Sequence, residues 1–228
     1  MSLRRVRKLA KRLFMQLPYS GTAQFLSALP LIRWEMQQHP NAVRIESRFA
    51  MYAWLAERLK SKAVRYLEFG VFEGESISEW ARIVPSADST FVGFDSFEGL
   101  PEDWGHAFAS TKKGTFSTGG KIPAIADPRV SFVKGWFNET LPQYVRELHA
   151  DGRPLIIHLD ADLYTSTTFV LHQLNNIMRA GTILIFDEFG NPLHEYRALK
   201  DWAALFGRRY RIDCYVHATL DQVALTLL

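Results

Sequence analysis

The 228-residue sequence lacks several features that would set it apart from ordinary globular proteins. Its only cysteine is Cys214, which excludes an intrachain disulfide and a zinc site built from cysteines. No stretch approaches the roughly 20 apolar residues of a membrane span, and internal repeats and low-complexity linkers are absent. We therefore expect a cytoplasmic globular protein of one large domain or two small ones.

Acidic residues are absent from the start of the chain. Six of the 27 basic residues fall within the first twelve positions, namely Arg4, Arg5, Arg7, Lys8, Lys11 and Arg12. The rest of the chain carries 21 basic against 24 acidic residues. The isoelectric point near 9.0 is therefore due to this segment. The rest of the chain is not predicted to bind nucleic acid.

The same basic segment has apolar residues at helical spacing, namely Leu3, Val6, Ala10, Leu13 and Phe14. It is interpreted either as a solvated helix that caps the domain or as an interfacial helix on anionic lipid or a partner. No continuous apolar segment follows the charges, so a signal peptide is not expected. We predict a basic helical extension over residues 1–40 and one domain over residues 41–228.

Apolar residues at three- and four-residue steps predict a helix over residues 41–60. Five apolar runs then alternate with helical segments, at residues 64–70, 90–96, 129–135, 155–161 and 182–188. A helix from about Glu75 to Ile83 is predicted after the first run and one from about Glu195 to Phe206 after the fifth. Two final runs, at 210–218 and 222–228, are separated by a short turn and predict an antiparallel hairpin. The pattern predicts an α/β fold, a Rossmann-like seven-stranded and mostly parallel sheet with helices on both faces.

Such sheets bind ligands beyond the carboxyl ends of their strands. The first strand ends in "EFGVFEGES", which places Glu68, Phe69 and Gly70 there. The glycine spacing is G-x-x-x-G and not the G-x-G-x-x-G of dinucleotide sites, which disfavours a nicotinamide oxidoreductase. The Glu68 carboxylate would repel a pyrophosphate and suits a ligand with an amine or cation.

The second strand ends in "GFDSFEGLP", with Asp95 and Ser96 where nucleotide-binding sheets place an acid for the ribose hydroxyls. After the third strand, Gly135 and Trp136 offer a turn and an aromatic ring that could stack on a purine, although core packing explains the ring equally well. A nucleoside with a positive or amino-bearing arm fits these residues. S-adenosylmethionine is the common molecule of that description.

Two further strands end in acid, Asp160 and Asp162 in "HLDADLYTST" and Asp187 with Glu188 in "FDEFG". If these strands are neighbours, their ends lie roughly 5 Å apart, and the acids need a counter-ion. Asp160, Asp187 and Glu188 form an oxygen-only set that Mg²⁺ prefers. Asp160 is also the predicted general base, whereas Asp162 is assigned to the first turn or loop, because Thr165 or Ser166 would cap the helix that follows.

Together, "EFGVFEGES", "GFDSFEGLP", "HLDADLYTST" and "FDEFG" resemble the macrocin O-methyltransferase type of class I S-adenosylmethionine-dependent methyltransferase, over roughly residues 45–205. The resemblance implies a small-molecule hydroxyl acceptor, in some relatives a sugar of an antibiotic. It implies Mg²⁺ held by Asp160 and the acid pair, with Asp160 as general base. It also implies a lid over the acceptor, near residues 98–127. The family usually has Asp-Asp where this chain has Asp187-Glu188.

Two other interpretations remain open at this point. A metal-dependent sugar-nucleotide glycosyltransferase would use "DAD" to hold a metal and a diphosphate, but Glu68 stands where a phosphate is expected. A non-enzymatic scaffold would bind the nucleoside and a partner through the basic segment, but it has no need of unpaired carboxylates. Homo-oligomers are compatible with the sequence.

Overall fold

A computed structural model gives the fold of residues 21–60, 62–105, 110–149, 151–217 and 219–228. The basic segment at the start of the chain, and the helix predicted there, lie outside the described residues. Six helices are described: α1 Gly21–Gln37, α2 Arg48–Arg58, α3 Glu75–Ile83, α4 Phe137–Glu147, α5 Tyr164–Leu174 and α6 Glu195–Phe206. None of them is long and apolar enough to cross a bilayer.

Eight strands form the main sheet: β1 Val43–Ile45, β2 Arg65–Phe69, β3 Thr90–Asp95, β6 Val130–Lys134, β7 Leu155–Leu159, β8 Ile183–Phe186, β9 Tyr210–Val216 and β10 Val223–Leu227. Their order is β1-β9-β10-β8-β7-β2-β3-β6. Only β10 runs antiparallel to its neighbours. The mostly parallel sheet and its reversed terminal hairpin confirm the predicted fold class.

The prediction of seven strands was one too few. Val43–Ile45, assigned to a helix from the sequence, forms β1 and pairs in parallel with β9. Helix α2 begins only at Arg48. The hydroxyl of the preceding N-cap residue, Ser47, accepts a hydrogen bond from the Ala50 amide at 3.2 Å. That N-cap separates the strand from the helix, because its extended backbone cannot continue a helix upstream.

Helices cover both faces of the sheet. On one face, α2 and α3 pack through Met51, Leu55, Ile77 and Trp80. On the other face, α4, α5 and α6 pack with Ile32 of α1 in a second core. The alternating side chains of each strand supply both cores, so the central strands are buried throughout.

Chain order reverses at β2, which has β3 on one side and β7 on the other. The crevice outside the carboxyl ends of these strands is the expected ligand site of an open α/β sheet. A short hairpin, β4 Trp104–Gly105 with β5 Ser110–Thr111, stands apart from the main sheet in the segment after β3.

Candidate active site

A cavity of about 720 Å³ opens at the carboxyl ends of the central parallel strands. Six of its lining residues are acidic: Asp95, Asp160, Asp162, Asp187, Glu188 and Glu139. This volume lies within the range of small-molecule sites. Its acid content sets it apart from a purely apolar pocket and favours ligands that carry cations.

Backbone hydrogen bonds hold the acid-bearing strand ends side by side. The Asp160 amide donates to the Phe69 carbonyl at 2.9 Å, and the Asp187 amide donates to the Leu159 carbonyl at 3.0 Å. Gly70 is required at the adjacent turn, because a Cβ there would lie 1.8 Å from the Asp160 carbonyl oxygen. The strand neighbours assumed from the sequence are therefore neighbours in the fold.

Crowding and burial raise the pKa of several of these carboxyls. Burial and the negative charge of Asp187 raise the pKa of Asp160 well above its usual range, although His158 opposes the shift. Burial and the charges of Glu188 and Asp187 raise the pKa of Asp162 to about 7. Burial, with Asp187 and Asp221 nearby, also raises the pKa of Glu188 to about 7. The cluster has more negative charge than the protein compensates.

One cation lies beneath this cluster. The fully buried His158 ring has Nδ1 at 2.7 Å from the Tyr66 hydroxyl and 3.6 Å from Glu68 Oε2. Its Nε2 lies 3.8 Å from Asp187 Oδ1. Burial lowers the pKa of His158, but the Asp187 and Glu68 carboxylates outweigh burial and raise the pKa to about 10. His158 is thus a protonated counter-ion and a member of a satisfied network on its Nδ1 side.

The residues present fit a bound divalent cation. Carboxylate oxygens of Asp160 and Asp187 lie within 4.8 Å of each other and of a ring nitrogen of His158, which as an imidazolium is their neighbour and not a ligand. Asp187 Oδ1 and His158 Nε2 are buried and have no hydrogen-bond partner among the described residues. Of the predicted set, Asp160 and Asp187 belong to this close group, whereas Glu188 lines the cavity outside it. Carboxylate oxygens around an unsatisfied position are the donors that Mg²⁺ prefers.

At the other end of the cavity, Asp95 is fixed by backbone amides. Its Oδ2 accepts from Val71 at 2.7 Å and from Phe72 at 2.9 Å, and its Oδ1 accepts from Phe97 at 2.7 Å. The two amides occupy both lone pairs of Oδ2, whereas Oδ1 keeps one lone pair to which a ligand hydroxyl can donate. Ser96 lines the cavity beside it.

The predicted nucleoside residues fall into two groups. Gly70, Asp95, Ser96 and Trp136 line the cavity. The other three, Glu68, Phe69 and Gly135, are not in its lining. Glu68 is 1% exposed and accepts from the Tyr66 hydroxyl.

Phe69 and Gly135 are not among the residues that line the cavity. The Phe69 ring is buried and stacks on Phe94, with ring centroids 4.7 Å apart. The Gly135 amide donates to the Asp95 carbonyl at 2.9 Å. Phe69 is thus part of the core, whereas Gly135 is half-buried and directly precedes the lining residue Trp136.

Among the lining residues that sequence reasoning did not assign to the site, Asp162 and Arg48 are two that carry charge. Asp162 was assigned to the loop, with Thr165 or Ser166 as the cap of the next helix. That cap was wrong, because α5 begins at Tyr164 after Leu163 and has no side-chain cap. Asp162 has a left-handed backbone, with φ of 57°. Such a conformation in a non-glycine residue is a recurrent mark of functional sites.

Comparisons with known proteins agree with this architecture. The profile of the family described as Macrocin-O-methyltransferase (TylF) matches residues 65–207. A tetracenomycin rhamnosyl 4′-O-methyltransferase of Streptomyces olivaceus is 30% identical over 122 residues, which cover 45% of each chain. The demethyldecarbamoylnovobiocin O-methyltransferase of Streptomyces niveus is 27% identical over 136 residues, covering 51% of this chain and 50% of that protein.

This chain therefore spans about half the length of the curated relatives that it matches. Among solved structures, CalS11, a calicheamicin methyltransferase, superposes with a TM-score of 0.59 at 20% identity and covers 99% of this chain and 93% of its own. At that identity the likeness shows the fold alone. The family profile, by contrast, matches well over half of the chain, and this protein belongs to the macrocin O-methyltransferase family.

Proposed function

We propose that this protein is an S-adenosylmethionine-dependent, Mg²⁺-dependent O-methyltransferase that methylates a hydroxyl of a small molecule. The observation that carries the proposal is the single cavity with two chemically different ends. Asp95 and Trp136 lie at the end formed by β3 and β6, and Asp160, Asp187 and Glu188 lie at the end formed by β7 and β8.

The methyl donor belongs at the β3 and β6 end in this proposal. Asp95 and Ser96 accept hydrogen bonds from the ribose hydroxyls, and Trp136 packs on the purine. Gly70 lets the methionyl arm of the donor pass close to the backbone. Glu68, Phe69 and Gly135 contribute by holding these residues from behind. A bound donor supplies an electrophilic methyl group on a sulfonium, whose positive charge suits the acidic cavity.

Asp160, Asp187 and Glu188 would hold Mg²⁺, which supplies a Lewis acid that lowers the pKa of an acceptor hydroxyl. The side chains of the protein then fix the hydroxyl in line with the methyl group and remove its proton. Asp160 is the base predicted from the sequence. With donor and acceptor bound, Asp160 would accept the hydroxyl proton as the oxygen bonds to the methyl carbon, while the bond from that carbon to the sulfonium sulfur breaks and S-adenosylhomocysteine leaves.

Asp162 is a second candidate for the base. Its carboxyl lines the same cavity, and burial with neighbouring acids raises its pKa to about 7. A base with a pKa near the working pH combines a sufficient deprotonated fraction with a strong pull on the proton. The two candidates make different predictions, which are tested below.

The acceptor lies under the segment of residues 98–127 in this proposal. Gly99, Leu100, Trp104 and Phe116 from this segment line the cavity, and their apolar surfaces suit a ring system. The two curated relatives are named for methylation of antibiotic hydroxyls, one of them on a rhamnose. We therefore propose a sugar hydroxyl of a secondary metabolite as the acceptor class and residues 98–127 as its lid.

The remaining features stay predictions. Residues 1–40 are proposed as an extension of the domain formed by residues 41–228, with α1 as the part that packs on it. A cytoplasmic location follows from the single cysteine. Contact of the basic segment with a membrane surface and formation of a homo-oligomer are both compatible with the chain.

Calorimetric titration tests the proposal. S-adenosylhomocysteine should bind the purified protein, with and without Mg²⁺, and UDP should not. Binding of UDP alone, and only with metal, would identify a glycosyltransferase and overturn the proposal. A variant with Trp54→Ala is the matched control for Trp136→Ala, because Trp54 stacks under Arg58 away from the cavity. Only the Trp136 variant should weaken nucleoside binding, by about 1–3 kcal/mol.

A further inference from the structure

The cavity has a marked imbalance of charge. Among the described residues that line it, six are acidic and Arg48 is the only lysine or arginine. S-adenosylmethionine carries two positive groups and one carboxylate on its methionyl arm. The acids suit the sulfonium and the ammonium, but they repel the carboxylate. Among the described lining residues, Arg48 is therefore the basic side chain with which a ligand carboxylate can form an ion pair.

The surroundings of Arg48 leave its guanidinium free to accept such a partner. It is the first residue of α2, and its side chain is 33% exposed. One nitrogen donates to Glu75 in the first turn of α3, and the guanidinium lies 4.9 Å from the Phe49 ring centroid. Among the described residues, the other N–H groups have no acceptor. A planar guanidinium with several free N–H groups can bind a carboxylate through two parallel hydrogen bonds.

Arg48 also lies where the arm would extend. A second cavity, of about 680 Å³, adjoins the first, and Arg48, Val71, Phe72 and Asp160 line both. With the ribose at Asp95 and the reacting methyl near Asp160, the amino-acid end of the arm must leave across Gly70–Phe72. That route leads to the junction of the two cavities, where Arg48 lies.

We propose that Arg48 binds the α-carboxylate of the methionyl arm, with Glu75 holding its guanidinium in place. This inference rests on the proposed function, because it assumes that the donor occupies the cavity. It assigns a binding residue that carries specificity for the amino-acid end of the donor. Nucleosides without that carboxylate should gain nothing from Arg48.

The experiment compares two ligands that differ by one group. These are S-adenosylhomocysteine and its decarboxylated analogue, 5′-deoxy-5′-(3-aminopropylthio)adenosine, which keeps the amine. Calorimetry measures both with the full chain and with Arg48→Gln, Arg48→Lys and Arg82→Gln. A charge-assisted bidentate pair predicts a loss of about tenfold or more in the affinity of Arg48→Gln for S-adenosylhomocysteine. Its affinity for the analogue should stay within about twofold, and Arg48→Lys should recover part of the loss.

Arg82→Gln is the matched control. Arg82 lines only the second cavity, and both its Nε and one terminal nitrogen are held by Glu79 at 2.7 and 2.6 Å. It should bind both ligands like the parent protein. If Arg82→Gln weakened the binding of S-adenosylhomocysteine but not of the analogue, the α-carboxylate would bind Arg82 instead of Arg48, and the inference would be overturned.

Two further outcomes would also overturn it. One is an equal loss for both ligands in Arg48→Gln, which indicates a structural role. The other is unchanged binding of both ligands with a raised KM for the acceptor, which would place Arg48 on the acceptor side. If the parent protein binds neither nucleoside, the proposed function itself fails, and this result is distinguishable from all the others.

Discussion

Carboxylates are buried in two regions of this protein, and the two regions treat them in opposite ways. Glu35 on α1 is 3% exposed and lies on the face of the sheet covered by α6. Asp187 is 9% exposed and lies with Asp160 and Asp162 at the strand ends. Both regions remove acids from water, which is costly unless the charges are paired and hydrogen-bonded.

The Glu35 region compensates its acid fully. Glu35 accepts hydrogen bonds from Lys200 Nζ at 2.7 Å and from the Tyr210 hydroxyl at 2.7 Å, and it lies 3.3 Å from His39 Nε2. Burial raises the pKa of Glu35, but these three partners outweigh burial and lower it below the usual range. The region is a structural clamp that fixes α1 to α6 and β9.

The strand-end region leaves its acids short of partners. Burial raises the pKa of Asp160, Asp162 and Glu188, and the negative charges of neighbouring acids raise these pKa values further. Among the described residues, the buried His158 is the cation that opposes this rise at Asp160. Strongly shifted carboxyls that line a cavity are typical of functional sites, whereas a compensated carboxyl between two elements is typical of structural ones. The difference separates a site built for a ligand from one built for stability.

The largest effect should come from the strand-end acids. Asp160→Asn should reduce turnover about 10³-fold, because it removes a proposed metal ligand and base together. S-adenosylhomocysteine affinity should change less than about twofold. Steady-state methylation assays with calorimetry check both values, and Asp88→Asn, an exposed acid remote from the cavity lining, is the matched control.

Asp162→Asn distinguishes the two candidate bases. If Asp160 is the base, Asp162→Asn should retain turnover within about tenfold. Retained turnover in Asp160→Asn, together with its loss in Asp162→Asn, would move the base to Asp162 and contradict the sequence-based assignment.

A second, intermediate effect concerns stability against pH in the presence of EDTA. The folded-state pKa of Asp162 is about 7, raised from 3.8, and that of Glu188 is about 7, raised from 4.5. Raised carboxyl pKa values mean that the folded state binds more protons, so stability falls as pH increases from about 4 to 7. His158 acts in the same direction, since its raised pKa contributes stability that is lost between pH 6.5 and about 10.

Urea unfolding at pH 5 and pH 8 measures this loss. The full shift of Asp162 corresponds to about 4 kcal/mol, of which about 2.7 kcal/mol falls between pH 5 and the folded-state pKa, and water in the open cavity should reduce this part to about 1–2 kcal/mol. Asp162→Asn should remove that part, and added Mg²⁺ should flatten the pH dependence of the parent protein. A parent protein whose stability is equal at both pH values in EDTA would contradict the charge imbalance.

The sequence predicted the strand-end region better than the Glu35 region. Five apolar runs, four of which end in acid, were sufficient to bring Asp160 and Asp187 together, because parallel strands end at one edge. Helices α3 and α6 were predicted at their observed bounds. Strand β1 was missed, since three residues carry no periodicity and its partner β9 lies far along the chain.

Other misses have a tertiary origin. Asp162 reaches the cavity through a left-handed backbone that no spacing rule predicts. Arg48 reaches it because α2 packs against α3, which brings Arg48 to Glu75. Glu68 pairs across the sheet with His158, and only the register of β2 and β7 reveals this contact. Local pattern therefore predicts the elements, and long-range packing decides which side chains face the ligand.

The smallest effect should come from the clamp. Glu35→Gln should lower the free energy of unfolding at pH 7 by about 2 kcal/mol, because Lys200 loses its buried charged partner. Tyr210→Phe should cost about 1 kcal/mol, since it removes one hydrogen bond. Because the pKa of Glu35 is depressed, its contribution is present above pH 4.5 and is lost as pH falls through the folded-state pKa. The stability gap between the parent and Glu35→Gln should therefore narrow in acid, opposite to the behaviour of Asp162. Turnover should be unchanged in both variants, and a fall in kcat without a fall in stability would show that the clamp belongs to the active site after all.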